Sequence, residues 1–267
     1  MKCNKSAIAN YVFAAGVALG PTAQATLLAQ DEFLYATNSQ IIGQGSNNSW
    51  PTAGRTWTGA TTAIMETGDL TYSNLAVSGN SVEVQGSDQG IFRALGTTNS
   101  TAGKSLWFSA LMQVDQSVGN RYAGVSLFLG ATEKFFFGQR NLSTDWGMEA
   151  WNTGLKINTS ITTISNATGF LVVQMDSAAK QIHLWVNPVS LGGSAPGTAT
   201  ATLSLTDFSF DTFRIQSGGT EKLDVDELRF GTTYADVTPL AIPEPATALL
   251  LAFGGAIAWF VRLKQRL

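Results

Sequence analysis

Residues Ser105–Asp115 read SLWFSALMQVD. Leu106, Phe108, Ala110, Met112 and Val114 recur at every second position, and Trp107, Ser109, Leu111 and Gln113 between them are mixed. A period of two is that of a β-strand, whose side chains point alternately to opposite faces. AGVSLFLG, residues 123–130, repeats the pattern through Val125, Leu127 and Leu129. GFLVVQMD and KQIHLWVNP flank the short turn Ser177-Ala178-Ala179, with Asp176 before it and Asn187-Pro188 closing the second run. Two β-rich runs around a small polar loop predict a hairpin. TFRIQSG and KLDVDELRFG extend the series, and between Asp31 and Thr238 a helical spacing surfaces only at residues 158–166. Many strands joined by short turns predict an all-β chain folded as a sandwich of two antiparallel sheets.

One run breaks the alternation. Leu223 and Val225 are apolar at odd positions, Leu228 and Phe230 at even ones. A strict period of two cannot serve both halves. Either a β-bulge falls at Asp226-Glu227, or one carboxylate turns inward and finds a partner, for which Arg229 and Arg214 are the candidates.

The ends of the chain differ from its middle. Lys2 and Lys5 precede an apolar stretch at 11–20, and Ala23-Gln24-Ala25 follows with the small residues signal peptidase requires. The expectation is a signal peptide helix over residues 1–25, cleaved after Ala25. The single cysteine, Cys3, falls inside it. The remaining domain, residues 26–240, must be stabilised by its core without disulfides. That domain carries 11 basic and 18 acidic residues, a net charge of −7, with the basic ones scattered. This argues against nucleic acid as a partner.

Residues 246–261 run without a charge, preceded by Pro243-Glu244-Pro245 and followed by Arg262, Lys264 and Arg266. With snorkelling basic residues and Trp259 at the interface, the run predicts a single transmembrane helix with a cytoplasmic carboxyl terminus. The segment 241–267 resembles the PEP-CTERM sorting signal of bacteria, although its tail, Arg-Leu-Lys-Gln-Arg-Leu, is less dense in arginine. The resemblance implies an exosortase as processing partner, besides signal peptidase. It also implies export, anchoring of the domain outside the inner membrane before processing, and delivery to the cell surface or extracellular matrix.

A second resemblance covers most of the domain. DEFLYA, GSNNSWPTAGRTWTG and GDLTYSNLAVSGNSVEV near its start, with LWFSALMQVD, AGVSLFLG, IHLWVNP and the closing DVDELRFGTTYADVTP, are similar in order to bacterial exported concanavalin A-like or laminin-G-like domains. The resemblance implies a jelly-roll sandwich.

Catalytic sets are hard to assemble from these residues. The family 16-type glucanases of this fold carry E-x-D-x-E on one strand, where nucleophile and acid flank a glycosidic bond. The nearest string here, Glu221-Lys222-Leu223-Asp224-Val225-Asp226-Glu227, has its glutamates at the wrong parity and reads as structural. His183 is the only histidine, beside Trp185 on a strand, and no G-x-S-x-G elbow accompanies it. With no second histidine and no cysteine in the domain, a transition-metal site is not expected. Calcium remains open at Gly86-Ser87-Asp88-Gln89-Gly90 and around Asp145, neither as dense in acids as a calcium loop. The domain's five N-x-[ST] sequons, at Asn47, Asn99, Asn141, Asn158 and Asn166, follow from a composition rich in Asn, Ser and Thr.

Sugars stack on exposed aromatic faces beside amides and carboxylates. STDWGMEAWNTG, residues 143–154, reads as a loop that offers Asp145, Trp146, Glu149, Trp151 and Asn152 as a glycan-binding surface. The expectation is a non-enzymatic binding or structural domain, without cofactor, contacting extracellular polysaccharide. A glycan-active hydrolase or a calcium-dependent lectin on the same fold is the alternative.

Overall fold

The computed structural model describes residues 26–45, 50–51, 55–59, 62–86, 90–115 and 121–241. The signal-peptide segment with Ala23 and Ala25, residues 87–89, Pro243-Glu244-Pro245, the apolar run and the tail with Arg262, Lys264 and Arg266 lie outside the described residues. Among the described residues no helix is long and apolar enough to cross a membrane.

The described strands are β1 (Leu27–Asp31), β2 (Thr58–Gly59), β3 (Ile64–Met65), β4 (Val82–Gln85), β5 (Gly90–Ser100), β6 (Ser105–Asp115), β7 (Ala123–Leu129) and β8 (Thr132–Gln139). They continue with β9 (Asp145–Ala150), β10 (Leu155–Thr162), β11 (Thr168–Asp176), β12 (Gln181–Val186), β13 (Ala201–Ser204), β14 (Ser209–Ser217) and β15 (Lys222–Gly231). One short helix, α1 (Tyr234–Val237), follows, opened by a capping box between Thr233 and Asp236. The strands form two antiparallel sheets. One has eight strands, ordered β13-β12-β11-β6-β15-β4-β3 with β1 also on β15, and the other has seven, ordered β10-β9-β8-β7-β14-β5-β2. The sandwich read from SLWFSALMQVD and its neighbours is this one, and the hairpin at Ser177-Ala178-Ala179 is β11 on β12.

The main core lies between the sheets. Leu106, Phe108, Ala110, Met112 and Val114 enter it from β6. Phe108 stacks on Phe230 of its own sheet at 4.8 Å and meets Phe210 and Phe213 of the other edge-on at 5.7 and 5.8 Å. Such aromatic contacts add to the apolar area removed from water. The acid and aromatics of the opening segment are also internal. Asp31 and Arg93 form a fully buried ion pair, Trp57 Nε1–H donates to Asp31 at 2.7 Å, and the Arg93 guanidinium lies 4.2 Å above the Trp50 ring.

The mixed face of β6 has its own purpose. Trp107 and Leu111 point away from the main core into a second cluster with Phe170, Val172, Trp185, Tyr234 and Val237, closed over by Leu70, Tyr72, Val77, Leu191 and Ala195. The eight-stranded sheet is thus covered on both faces.

Both alternatives for the broken alternation hold at once. The register of β15 against β6 shifts between Asp226 and Arg229, and Glu227 sits at φ +52°. Before the bulge β15 is bordered by β4 through Lys222–Val225, and after it by β1 through Leu228–Gly231. At the changeover none of the described strands meets the edge, and side chains satisfy the freed backbone donors. Asp226 accepts from Leu70 N at 3.0 Å and from Glu227 N at 2.7 Å, and Glu227 accepts from Ser78 N at 2.6 Å. Glu227 also pairs with Arg229; Arg214 belongs to the other sheet. Glu221, Asp226 and Glu227 are all buried.

Two expectations are corrected. Residues 158–166 are not helical: β10 runs through Thr162, with Thr159 buried between exposed neighbours, a period of two. STDWGMEAWNTG is not a loop: Asp145–Ala150 is β9, and Trp146, Met148 and Ala150 alternate into the core.

Candidate functional site

The outer face of the seven-stranded sheet is built differently from that of its partner. Along one row of paired positions it carries Gln216, Gly124, Gly138, Gly147 and Asn158 on β14, β7, β8, β9 and β10. The next row, two residues along each strand, carries Arg214, Ser126, Phe136, Glu149 and Lys156. Three adjacent strands with no side chain leave a trough in which the neighbours lie down. A Cβ on Gly124 would come within 2.8 Å of the Phe136 ring, and one on Gly147 within 3.0 Å of Arg140 Cδ.

The result is a cavity of about 410 Å³, lined by Tyr122, Glu133, Phe136, Arg140, Leu142, Glu149, Trp151, Lys156, Arg214 and Gln216 among others. Its carboxylates are held in place. Glu133 accepts from Ser126 Oγ at 2.6 Å and from the Trp151 side chain, and feels Arg214 and Glu149. Burial is the largest influence and raises its carboxyl above the usual range, while Ser126 and Arg214 pull it back. Glu149 lies 3.5 Å from Arg140 Nε, and Arg140 Nη1 donates to Asn158 at 2.6 Å. The Arg214 guanidinium sits over Phe92 and Phe128, 5.3 and 5.4 Å from their centroids. Trp151 and Leu142 stand at the mouth, 52% and 80% exposed.

The residues expected to bind glycan are divided by this geometry. Trp151 and Glu149 come together in the cavity wall. Trp146 does not join them: at 3% exposure it packs between the sheets and offers no ring face to a ligand. Asp145 accepts from Thr162 Oγ1 at 2.9 Å, and Asn152 Nδ2 donates to Thr206 O at 2.6 Å, so both serve local turns and pairing outside the cavity. His183 stands beside Trp185 on the eight-stranded sheet, its ring 5.7 Å away, with Nδ1 3.0 Å from Thr202 Oγ1. Burial lowers its pKa. Among the described residues no group of three or more His, Asp or Glu is placed to hold a metal ion. Glu133, Arg140, Lys156, Arg214 and Gln216 were not singled out from the sequence. The clue available there was Gly124, Gly138 and Gly147 on three successive strands, each out of phase with the buried series.

No curated protein matches this chain. Among solved structures, the binding domain of botulinum neurotoxin serotype G is similar at 9% identity and a TM-score of 0.49, over 77% of this chain and 50% of that one. The cellulose induced protein Cip1 is similar at 10% identity and a TM-score of 0.48, over 76% of this chain and 97% of that one. The chain spans about half the length of the neurotoxin structures it matches. The model of the PEP-CTERM protein-sorting motif matches residues 241–266. That motif implies an exported protein handed to an exosortase, and Pro243-Glu244-Pro245 and the basic tail read from the sequence fall within it. The chain is a two-sheet antiparallel β-sandwich that carries a PEP-CTERM protein-sorting motif.

Proposed function

We propose that this is a surface or extracellular-matrix protein whose concanavalin A-like sandwich binds extracellular polysaccharide on the outer face of its seven-stranded sheet, without cleaving it. Removal of residues 1–25 by signal peptidase and transient anchoring through the apolar run after Pro245 deliver it there. The observation that carries the reading is Trp151, half-exposed at the mouth of a polar cavity with its indole N–H held by Glu133. A fixed aromatic face beside charged and amide groups suits a pyranose ring, which is apolar on its faces and hydroxylated at its edge. Isothermal titration of the full chain against a panel of polysaccharides tests it, with Trp151→Ala as control. Binding to none of them would sink the reading. Mass spectrometry of the native protein tests the processing: an intact end at Leu267 would refute cleavage near Pro243.

One observation favours hydrolysis as a second reading. Glu133 and Glu149 share the cavity, and burial favours the protonated form of Glu133, as a general acid requires. Against it, Ser126, Trp151 and Arg140 already engage these carboxylates. Release of reducing ends from a bound glycan, abolished by Glu133→Gln, would establish hydrolysis and overturn the binding-only reading.

A further inference from the structure

We propose that the polysaccharide recognised in this cavity is acidic, a uronic-acid chain, with the ring carboxylate taken by Lys156 and Arg140. The proposal rests on the binding reading above and names its ligand class.

Charge is the first observation. The domain is acidic, with 11 basic against 18 acidic residues over 26–240, yet the cavity wall holds Arg140, Lys156 and Arg214 against Glu133 and Glu149. The two arginines are each answered by a carboxylate, Arg140 by Glu149 and Arg214 by Glu133. Lys156 is exposed, pairs in register with Glu149 and makes no ion pair among the described residues. The site therefore carries one positive charge in excess, the complement of one carboxylate per bound ring.

Unmet hydrogen bonds are the second. Gln216 is 4% exposed, on the cavity wall, and its Oε1 has no partner; Arg140 Nε is buried and makes no hydrogen bond, the Glu149 carboxylate at 3.5 Å pairing with it by charge alone. Buried polar atoms in a folded chain are nearly always satisfied, so orphans on residues that line a cavity point to a ligand as the missing partner. Gln216 Oε1 asks for a donor, as a sugar hydroxyl is, and Arg140 Nε, paired with Glu149 by charge and not by a hydrogen bond, can take a closer acceptor, as a second carboxylate is. Gln216 and Arg140 belong to opposite ends of the trough that Gly124, Gly138 and Gly147 keep clear. Trp151 then faces the ring itself.

The test is titration calorimetry of the full chain with tetrameric galacturonate, glucuronate and mannuronate, each beside its methyl ester, and with neutral and sulfated oligosaccharides. At least one uronate is expected to bind about 10-fold or more tightly than its ester, and to weaken as salt is raised. Lys156→Gln and Arg140→Gln are expected to remove that preference, and Lys156→Gln, being exposed, leaves the fold intact. Equal binding of acid and ester, or binding confined to neutral or sulfated chains, overturns the proposal and leaves the binding reading standing. Binding to no oligosaccharide or polysaccharide overturns both.

Discussion

The indole of Trp146, on β9, packs across the sandwich against the backbone of Gly169 on β11. A Cβ at Gly169 would lie 2.5 Å from the Trp146 ring. This contact joins the two sheets, and it holds Trp146 in the core while Trp151, five residues on, is half exposed. Gly169→Ala is expected to lower stability by about 1–3 kcal/mol through overpacking. Trp146→Ala is expected to cost about 3–5 kcal/mol by leaving a cavity. Urea unfolding followed by fluorescence measures both.

Trp151 should behave in the opposite way. Half its surface is exposed and its indole N–H meets Glu133, so Trp151→Ala is expected to cost about 1 kcal/mol, well below Trp146→Ala. Glycan affinity should fall about 10-fold or more, the equivalent of roughly 1.4 kcal/mol. A variant that lost stability and kept its affinity would place the binding surface elsewhere.

Glu227 and Arg229 form a buried pair on the bulge, with side chains 0% and 2% exposed. Breaking it from one side leaves a charge without its partner in the interior. Glu227→Ala or Arg229→Met alone is expected to destabilise by about 3–5 kcal/mol, and the double variant by less than the sum. Additive losses in a double-mutant cycle would show that the two residues act independently.

Three carboxyls on β15 make stability depend on pH. Burial, then the Glu227 charge, pushes Asp226 up to about 9. Burial, then Glu83, pushes Asp224 up to about 7, and burial pushes Glu227 up to about 7 against the pull of Arg229. Their ordinary values are 3.8 for Asp and 4.5 for Glu. The native state therefore holds protons that the unfolded chain has released. The stability this supplies is full below about pH 4 and is lost as pH climbs through about 7 to about 9. Urea midpoints should fall steadily between about pH 5 and about pH 9, and Asp224→Asn should flatten the slope.

The glycine row offers a steric test. A side chain at Gly147 would meet Ile157 O at 2.5 Å and Arg140 Cδ at 3.0 Å. Gly147→Val is expected to displace Arg140 and weaken binding. Unchanged affinity, measured on protein that circular dichroism shows to be folded, would move the ligand off the trough.

Local periodicity alone was enough to read β6, β7, β14 and β15, the β11–β12 hairpin and the irregularity at Asp226-Glu227, because there a strand's alternation is written in every second residue, while β9 passed for a loop and β10 for a helical spacing. The apolar run between Pro-Glu-Pro and a basic tail was legible for the same reason: order and composition carry the whole signal of the sorting motif. Alternation marks two faces and does not say which one a second sheet will cover. Trp146 and Trp151 have equal chemistry in the sequence; pairing of β9 between β8 and β10 turned one to the core and left the other beyond the strand's end. The cavity draws Arg214 from β14, Glu133 from β8 and Lys156 from β10, residues up to 81 positions apart that only sheet order makes neighbours. Tertiary pairing decided the site because its chemistry is shared across strands, and no single stretch of the chain contains it.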